Sequence, residues 1–181
     1  MPFLMLKDLP RYECLLGTAR VHPELDPSAA EAYLHLLRAG DEAYSKSEAF
    51  LTEHGMSPGR FTIMMLLYNK QDGSTIPRTP AELADMAAVT RATITGLVDT
   101  LERDGLVKRE HDEGDRRMMQ VRMTPKGHSS LRDILPGYFK QMAEQMAPLN
   151  ESERKTLVRL LNKLAAHPPA AHIETKAHVV A

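Results

Sequence analysis

The sequence predicts a mostly α-helical protein with one small β-hairpin, and three observations support this. Apolar residues recur at spacings of three, four and seven along 28–53 and again along 125–164, which is the period of an amphipathic helix. Two shorter helical segments fill 81–104, each preceded by a residue that can cap a helix. Apolar and polar residues then alternate along 106–110 and 118–124, on either side of a polar turn, which is typical of two paired strands.

The composition predicts a globular protein of the cytoplasm, with no membrane partner. Hydrophobic residues make up 43% of the chain and charged residues 26%. No apolar run approaches the roughly 20 residues needed to cross a bilayer, and the N-terminus lacks the basic region and cleavage site of a signal peptide. The net charge of −1 neither indicates nor excludes nucleic acid, because counterion release depends only on the local basic surface.

The first elements are delimited by caps and breakers. Prolines interrupt residues 1–27, which we predict to form an irregular or partly helical arm. Asp26-Pro27 supplies the cap and first turn of a long helix from Ser28 to about Glu53, and Gly55 ends it. Ser57-Pro58 opens a buried helix by the same chemistry.

The C-terminal third predicts two more helices. Pro125 starts a long helix that we expect to be broken or kinked at Pro136. Asn150 caps a final helix with leucines on one side. The segment 166–181 has little core-forming pattern, and we expect a flexible tail there.

The two short helices between 81 and 104 predict a helix-turn-helix. Thr79 and Glu82 have the spacing of a capping box, Thr90 can cap the second helix and Gly105 ends it. Ala84 is the small residue that lets the helices approach closely. The expected inward residues are Leu83, Ala87, Val89, Ile94 and Leu97.

The outward face of the second helix suits the major groove of DNA, because short hydroxyls and an arginine stand at its N-terminal end. A plain helical hairpin is the alternative interpretation. The expected DNA-contacting residues of this helix are Thr90, Arg91, Thr93 and Thr95.

The tip of the predicted hairpin carries two arginines, Arg116 and Arg117, beside the second helix. In that place they can meet phosphates or a minor groove. Asp115 can orient Arg117 through a charge-assisted hydrogen bond. A solvated turn, in which the neighbouring carboxylates neutralise the arginines, is the competing interpretation.

The order of helices and hairpin, with almost no spare residues, points to a winged helix-turn-helix. The segment DRRMMQVRMTPKG resembles the wing signature D-x-R-x-x-x-V-x-L-T-x-x-G of the MarR family of transcriptional regulators, with Met123 in place of the leucine. The segment 97–110 also resembles the family's recognition helix and first wing strand, and the resemblance extends over about 28–165. The residues that match the wing signature are Asp115, Arg117, Val121, Thr124 and Gly127.

The resemblance implies a homodimer with interlocking terminal helices, in which two recognition helices meet a pseudo-palindrome on double-stranded DNA. Its half-sites are expected roughly 10 base pairs apart. The DNA-binding lobe is expected at about 56–127, within a domain spanning 28–165. Independently of the family, the apolar stripes of the terminal helices exceed what a small winged core can bury, which also predicts dimerisation.

We expect a repressor that a small aromatic carboxylate or phenol releases from DNA, because many members of the family bind such ligands in a crevice beside the DNA-binding lobe. An arginine or histidine at an apolar wall can hold a carboxylate, although each candidate also fits a surface or packing role. The candidate ligand residues are Tyr33, His35, Arg38, Arg60, Phe61 and Met64.

Other functions are less well supported by the sequence. A redox-responsive regulator using Cys14 is one alternative, although we expect that cysteine to be buried and inert. A winged-helix protein-interaction module without DNA binding is another. The eight histidines form no compact ligand set, and no nucleophile elbow, phosphate loop or HExxH motif occurs, so we expect no metal, no cofactor and no enzyme activity.

Overall fold

The computed structural model describes residues 7–69, 71–111 and 117–166. The chain divides into two compact units, residues 1–142 and 143–181. The elements are α1 (Tyr12–Val21), α2 (Pro27–Glu53), α3 (Pro58–Leu66), α4 (Pro80–Met86), α5 (Arg91–Arg103), β1 (Val107–His111), β2 (Met119–Met123), α6 (Pro125–Met146) and α7 (Glu151–Ala165).

One hydrophobic core holds the first unit together. The end of α2, the three helices α3 to α5, the hairpin and the first half of α6 all contribute to it. Among the described residues no polar or charged side chain is buried, so the core stabilises the fold by apolar burial alone. Its largest fully buried side chains include Leu51, Ile63, Met64, Leu67, Leu83, Ile94, Leu101 and Leu131.

The predicted helix starts are confirmed. Asp26 accepts hydrogen bonds from two backbone N–H groups at the start of α2, and Ser57 accepts one at the start of α3. Thr79 and Asn150 each form a complete capping box, with Glu82 and Glu153 respectively. These side chains satisfy N–H groups that the helix itself leaves without partners.

Three helices end in the same hydrogen-bonded motif. Gly55, Ala88 and Gly105 follow α2, α4 and α5, with φ values of 66°, 52° and 71°. In each case the next backbone N–H bonds to a carbonyl five residues back, as from Leu106 to Leu101 at 2.9 Å. Ala88 is the one non-glycine residue in this left-handed conformation among the described residues, and it forms the turn between α4 and α5.

The two strands pair antiparallel, with Val107 opposite Met123 and Arg109 opposite Val121. A third segment joins them at one point, where Arg78 exchanges two backbone hydrogen bonds with Val121, of 2.7 and 3.1 Å. Val121 and Met123 are buried, so this small sheet covers one side of the core.

Some expectations need correction. Cys14 is exposed on α1 instead of buried, because the inward-facing position of this helix is the next residue, Leu15. The arm itself is partly helical, which is one of the two predicted forms. The helix α6 continues through Pro136 without a break. Pro136 is exposed, as is Arg132 four residues before it, so the carbonyl that loses its N–H partner lies towards solvent.

The expected tail lies outside the described residues, apart from Ala166. In the second unit, α7 has no buried residue along its fifteen positions. Within the described residues, no helix is both long and apolar enough to span a membrane.

Candidate nucleic-acid interface

The helices α4 and α5 are held together by a small apolar contact. Leu83 and Ala84 of α4 are buried, as is Ile94 of α5, and the turn at Ala88 brings the two helices together. The small side chain of Ala84 permits the close approach that was predicted. Val89 is 40% exposed, contrary to expectation, because it directly follows the left-handed residue.

The N-terminal end of α5 is capped and exposed. The Thr90 hydroxyl accepts from the Thr93 backbone N–H at 3.1 Å, and the two hydroxyls lie 2.9 Å apart. Thr95 donates its hydroxyl to the Arg91 carbonyl at 3.0 Å. The four predicted DNA-contacting residues at this end of the helix are all exposed: Thr90, Arg91, Thr93 and Thr95. Ile94, which lies between them in the sequence, is fully buried. The amphipathic division of α5 thus leaves a hydroxyl- and arginine-bearing surface facing outwards.

The hairpin lies directly after α5 in the chain and packs against it. Arg117 is exposed, two residues before β2. The other two predicted tip residues, Asp115 and Arg116, lie outside the described residues. On the hairpin itself Glu110 bonds to Lys108 and Arg122, and the hydrogen bond from Lys108, followed by that from Arg122, lowers the pKa of Glu110.

The end of the wing signature forms a compact corner where α5, β2 and α6 meet. The Thr124 hydroxyl lies 2.7 Å from the Gly105 carbonyl, to which it donates, and accepts from the Gly127 backbone N–H at 3.1 Å. Gly127 lies so close to Leu106 that a Cβ atom added to it would fall 2.1 Å from the Leu106 carbonyl oxygen. The threonine and glycine of the signature are therefore explained by packing of the hairpin onto the end of α5 and the start of α6.

Carboxylates on α5 are paired with arginines from other elements. Arg109 of β1 bonds to both Asp99 and Glu102, and Arg60 of α3 bonds to Asp104 at the end of α5. Burial lowers the pKa of Arg109, but its hydrogen bonds to the two carboxylates outweigh that effect and raise it. These pairs offset negative charge on the helix that presents the predicted DNA-binding residues.

The predicted ligand residues fall into two groups. Tyr33, His35 and Arg38 lie on the N-terminal half of α2, where Arg38 donates to the Lys7 carbonyl at 3.0 Å. Arg60 pairs with Asp104, and both Phe61 and Met64 are buried in the core. Since Arg38 precedes Leu51 by thirteen residues, the first group lies roughly 20 Å along the helix from the α2 residue that joins the core.

A separate cleft, which the sequence did not indicate, lies between the turn after α3 and the start of α6. It has a volume of about 730 Å³ and is lined in part by Tyr68, Asp72 and Arg132. Thr75 and His128 close one side, with 2.6 Å between the hydroxyl and Nε2. Among the described residues no three potential metal ligands of the histidine, cysteine or carboxylate type lie together.

Comparison with known proteins identifies this arrangement. The family model of the MarR family matches residues 56–119, which take in α3, α4, α5 and β1. The chain is also 34% identical to the HTH-type transcriptional repressor YetL of Bacillus subtilis, over 88% of this chain and 93% of that protein. This chain belongs to the MarR family. MarR family members are DNA-binding transcriptional regulators.

Solved structures of MarR family proteins share the winged helix-turn-helix fold. Sco3205 of Streptomyces coelicolor, in complex with DNA, superposes with a TM-score of 0.69 at 22% identity, over 81% of this chain and 93% of that one. BpsR of Bordetella bronchiseptica, whose DNA binding is regulated by 6-hydroxynicotinic acid, gives a TM-score of 0.57 at 25% identity, over 74% of this chain and 98% of that one. The predicted family and fold are confirmed.

Sequence reasoning did not predict that Arg60 and Arg109 pair with carboxylates of α5 and its C-terminal cap. Arg109 shares a face of β1 with buried Val107, and a polar residue on the apolar side of a strand indicates a partner on the element packed against it. The alternation of Val107 and Arg109 on one face of β1 is visible in the sequence, so this pairing could have been predicted. The pairing of Arg60 with Asp104, across 44 residues, carries no comparable local signal.

Proposed function

We propose that this chain is a transcriptional repressor that binds a pseudo-palindromic operator as a homodimer, with α5 in the major groove and the hairpin beside it. The observation that carries the proposal is the N-terminal end of α5, where exposed Arg91, Thr93 and Thr95 are backed by fully buried Ile94. Arginine reads guanine edges, and threonine hydroxyls meet bases or phosphates. The DNA-binding lobe then spans about 56–127 and the whole domain 28–165.

Substituting Arg91 by Ala tests the proposed base contact. We expect Arg91→Ala to bind its selected duplex about 5- to 150-fold more weakly, the equivalent of ~1–3 kcal/mol, and to lose preference at one base position. Arg117→Ala should instead weaken binding to all duplexes similarly and reduce the salt slope by about one, as the loss of a phosphate contact does. Fluorescence anisotropy on duplexes selected from a random library, at several salt concentrations, measures both.

Arg20→Ala is the matched control, since Arg20 is an exposed arginine at the end of α1. It makes the same change in net charge away from α5 and the hairpin. Equal losses for Arg20→Ala and Arg91→Ala would show that charge alone matters, and would contradict base recognition by α5.

Homodimerisation is proposed because large apolar side chains remain exposed in each unit. In the first unit these include Tyr33, Leu36 and Tyr44 on α2 and Phe139 on α6. On α7 the exposed leucines follow one helical stripe, with spacings of three and four. These leucines are Leu157, Leu160, Leu161 and Leu164. A second copy that covers such stripes removes them from water and sets two recognition helices on one duplex.

Release by a small aromatic carboxylate or phenol is the second part of the proposal. BpsR, at 25% identity, provides the precedent of 6-hydroxynicotinic acid. In this chain the candidates that could hold a carboxylate are His35, Arg38 and Arg60. Arg38 donates to the Lys7 carbonyl and Arg60 pairs with Asp104, so a ligand carboxylate would compete with these contacts. Such a ligand weakens DNA binding when it binds more tightly to a conformation that does not fit DNA. The loss of DNA affinity cannot exceed the ligand's difference in affinity between the two conformations.

Titration of the protein–DNA complex with 6-hydroxynicotinate and salicylate tests this release. We expect the anisotropy of labelled DNA to fall to that of the free duplex, while acetate at the same concentration and ionic strength has no effect. Arg38→Gln should shift the titration to higher concentration, and Arg20→Gln should not. Unchanged DNA affinity across aromatic carboxylates and phenols would exclude this kind of regulation.

A further inference from the structure

Arg109 connects β1, the first strand of the hairpin that forms the wing, to α5, the proposed recognition helix, by three hydrogen bonds. Its guanidinium donates to Asp99 and to Glu102, each at 2.6 Å. Its backbone N–H donates to the second oxygen of Glu102 at 2.8 Å. Asp99 and Glu102 are three residues apart on α5, so the two arms of one guanidinium reach across neighbouring positions of the helix.

The orientation of the Arg109 backbone follows from the sheet. Val121, opposite Arg109, directs both its N–H and its carbonyl to Arg78. Arg109 is therefore in a non-hydrogen-bonded pair with Val121, and its own N–H points away from β2 towards α5. At this outer edge of β1, the Glu102 carboxylate accepts the hydrogen bond that a neighbouring strand would accept in a larger sheet.

The carboxylates that Arg109 holds lie near the proposed DNA-binding surface. Arg91, Thr95 and Asp99 are four residues apart and so form one row along α5. Glu102 lies on the same flank of the helix as this row, and the buried residues of α5 lie along the adjacent flank. Arg109 therefore contacts the continuation of the surface that carries Arg91.

We propose that Arg109 is a positioning residue for DNA recognition, which fixes the hairpin against α5 so that both reach the same duplex. This inference rests on the proposed DNA-binding function. Arg109 itself does not contact DNA in this role, because its guanidinium is engaged by Asp99 and Glu102. A rigidly placed wing reaches its groove without the loss of conformational entropy that a loosely held hairpin incurs on binding.

An arginine is required for this connection. The planar guanidinium offers donors in a fixed fork, which can serve two carboxylates at once, whereas a lysine presents a single compact charge. Lysine at position 109 would keep the charge balance beside α5 but would not hold both carboxylates in one geometry. Charge and geometry can therefore be separated experimentally.

DNA affinity of three variants provides the first test. We expect Arg109→Gln to bind the selected duplex about tenfold more weakly than wild type, and Arg109→Lys to recover only part of that loss. Arg122→Gln is the matched control, because Arg122 is also a wing arginine but pairs with Glu110 on the hairpin itself. Full recovery by Arg109→Lys, or an equal loss in Arg122→Gln, would overturn the proposal in favour of a charge effect.

A double-mutant cycle with Arg117→Ala identifies the step at which Arg109 acts. If Arg109 acts through the wing, Arg117→Ala should cost much less affinity in the Arg109→Gln background than in the wild type. Additive losses would mean that the wing reaches DNA equally well without Arg109, and would overturn the proposal. The melting temperature of each variant is measured as well. An unchanged value shows that the loss of affinity does not come from unfolding of the whole domain.

Amide hydrogen exchange of the free protein gives a readout that needs no DNA. Glu102→Ala should speed exchange at the residue 109 amide, while Glu110→Ala, which removes a carboxylate of β1 with no bond to that amide, should not. Slow exchange at residue 109 in both variants would overturn the connection itself. A wild-type protein that binds no duplex would instead overturn the proposed function, whatever the exchange shows. Wild-type binding that Arg109→Gln leaves unchanged would overturn the role of Arg109 alone.

Discussion

Gly127→Ala is expected to lower the free energy of unfolding by about 3 kcal/mol or more, which is at the upper end of single substitutions. The added methyl group would lie 2.1 Å from the Leu106 carbonyl oxygen and 2.8 Å from the Met123 side chain. The first of these atoms is backbone, so it cannot rotate away. The corner between α5, β2 and α6 would have to open, and the Thr124 hydrogen bonds would open with it.

Thermal and urea unfolding measure this loss, with Gly96→Ala as the control. Gly96 lies inside α5, and nothing comes within 4 Å of a Cβ added there. Because alanine is the better helix former, Gly96→Ala should raise the free energy of unfolding by up to about 1 kcal/mol. A Gly127→Ala protein as stable as the wild type would show that the corner is not packed as described.

Leu160→Glu is expected to convert the protein to monomers and to weaken operator binding by about 100-fold or more. The glutamate would place a charge in the centre of the leucine stripe of α7, which the proposed dimer buries. A monomer engages one half-site at a time, so it loses the gain in affinity that comes from linking two binding events.

Sedimentation equilibrium and anisotropy on the same samples measure both effects. Asn162→Glu is the matched control, since it adds the same charge on the side of α7 opposite the leucine stripe. We expect it to remain dimeric and to bind DNA as the wild type does. A Leu160→Glu protein that stays dimeric would contradict the assignment of this stripe to the subunit interface.

The helix boundaries were predictable because local chemistry determines them. Asp26, Thr79, Thr90 and Asn150 act as caps by hydrogen bonds to residues two or three positions along, which sequence spacing reveals. The wing signature identified Thr124 and Gly127 by residue type, and the structure shows the corner that they form. The division of α5 into a buried and an exposed face followed from its apolar period.

Features set by contacts between distant segments were harder to predict. Val89 is apolar and falls at a helix-like spacing, but the left-handed Ala88 turns it outwards. Pro136 is tolerated within α6 because it faces solvent, which depends on the packing of the whole helix. The burial of Phe61 agrees with the predicted buried helix, but the engagement of Arg60 with Asp104 could not be read from neighbouring residues.

The ligand residues show the limit of sequence patterns most clearly. Tyr33 and Met64 were grouped because both lie on the first two helices predicted from the sequence, but Tyr33 is 61% exposed on α2 whereas Met64 is fully buried. A binding crevice is formed by elements that meet in space, and in a dimer by two chains, so no linear spacing specifies it. The exposed end of α5 could be predicted because a single helix forms it.

A single residue, Thr124, separates the last strand from α6. From Pro125 to Met142 this helix extends for about 27 Å, and a tilt of about 5° at one end displaces the other by about 2 Å. Thr124 is bonded to both Gly105 and Gly127, so the junction has little freedom to absorb such a tilt. We therefore expect α6 and the hairpin to move as one rigid unit, so that a ligand that tilts α6 would also displace β2.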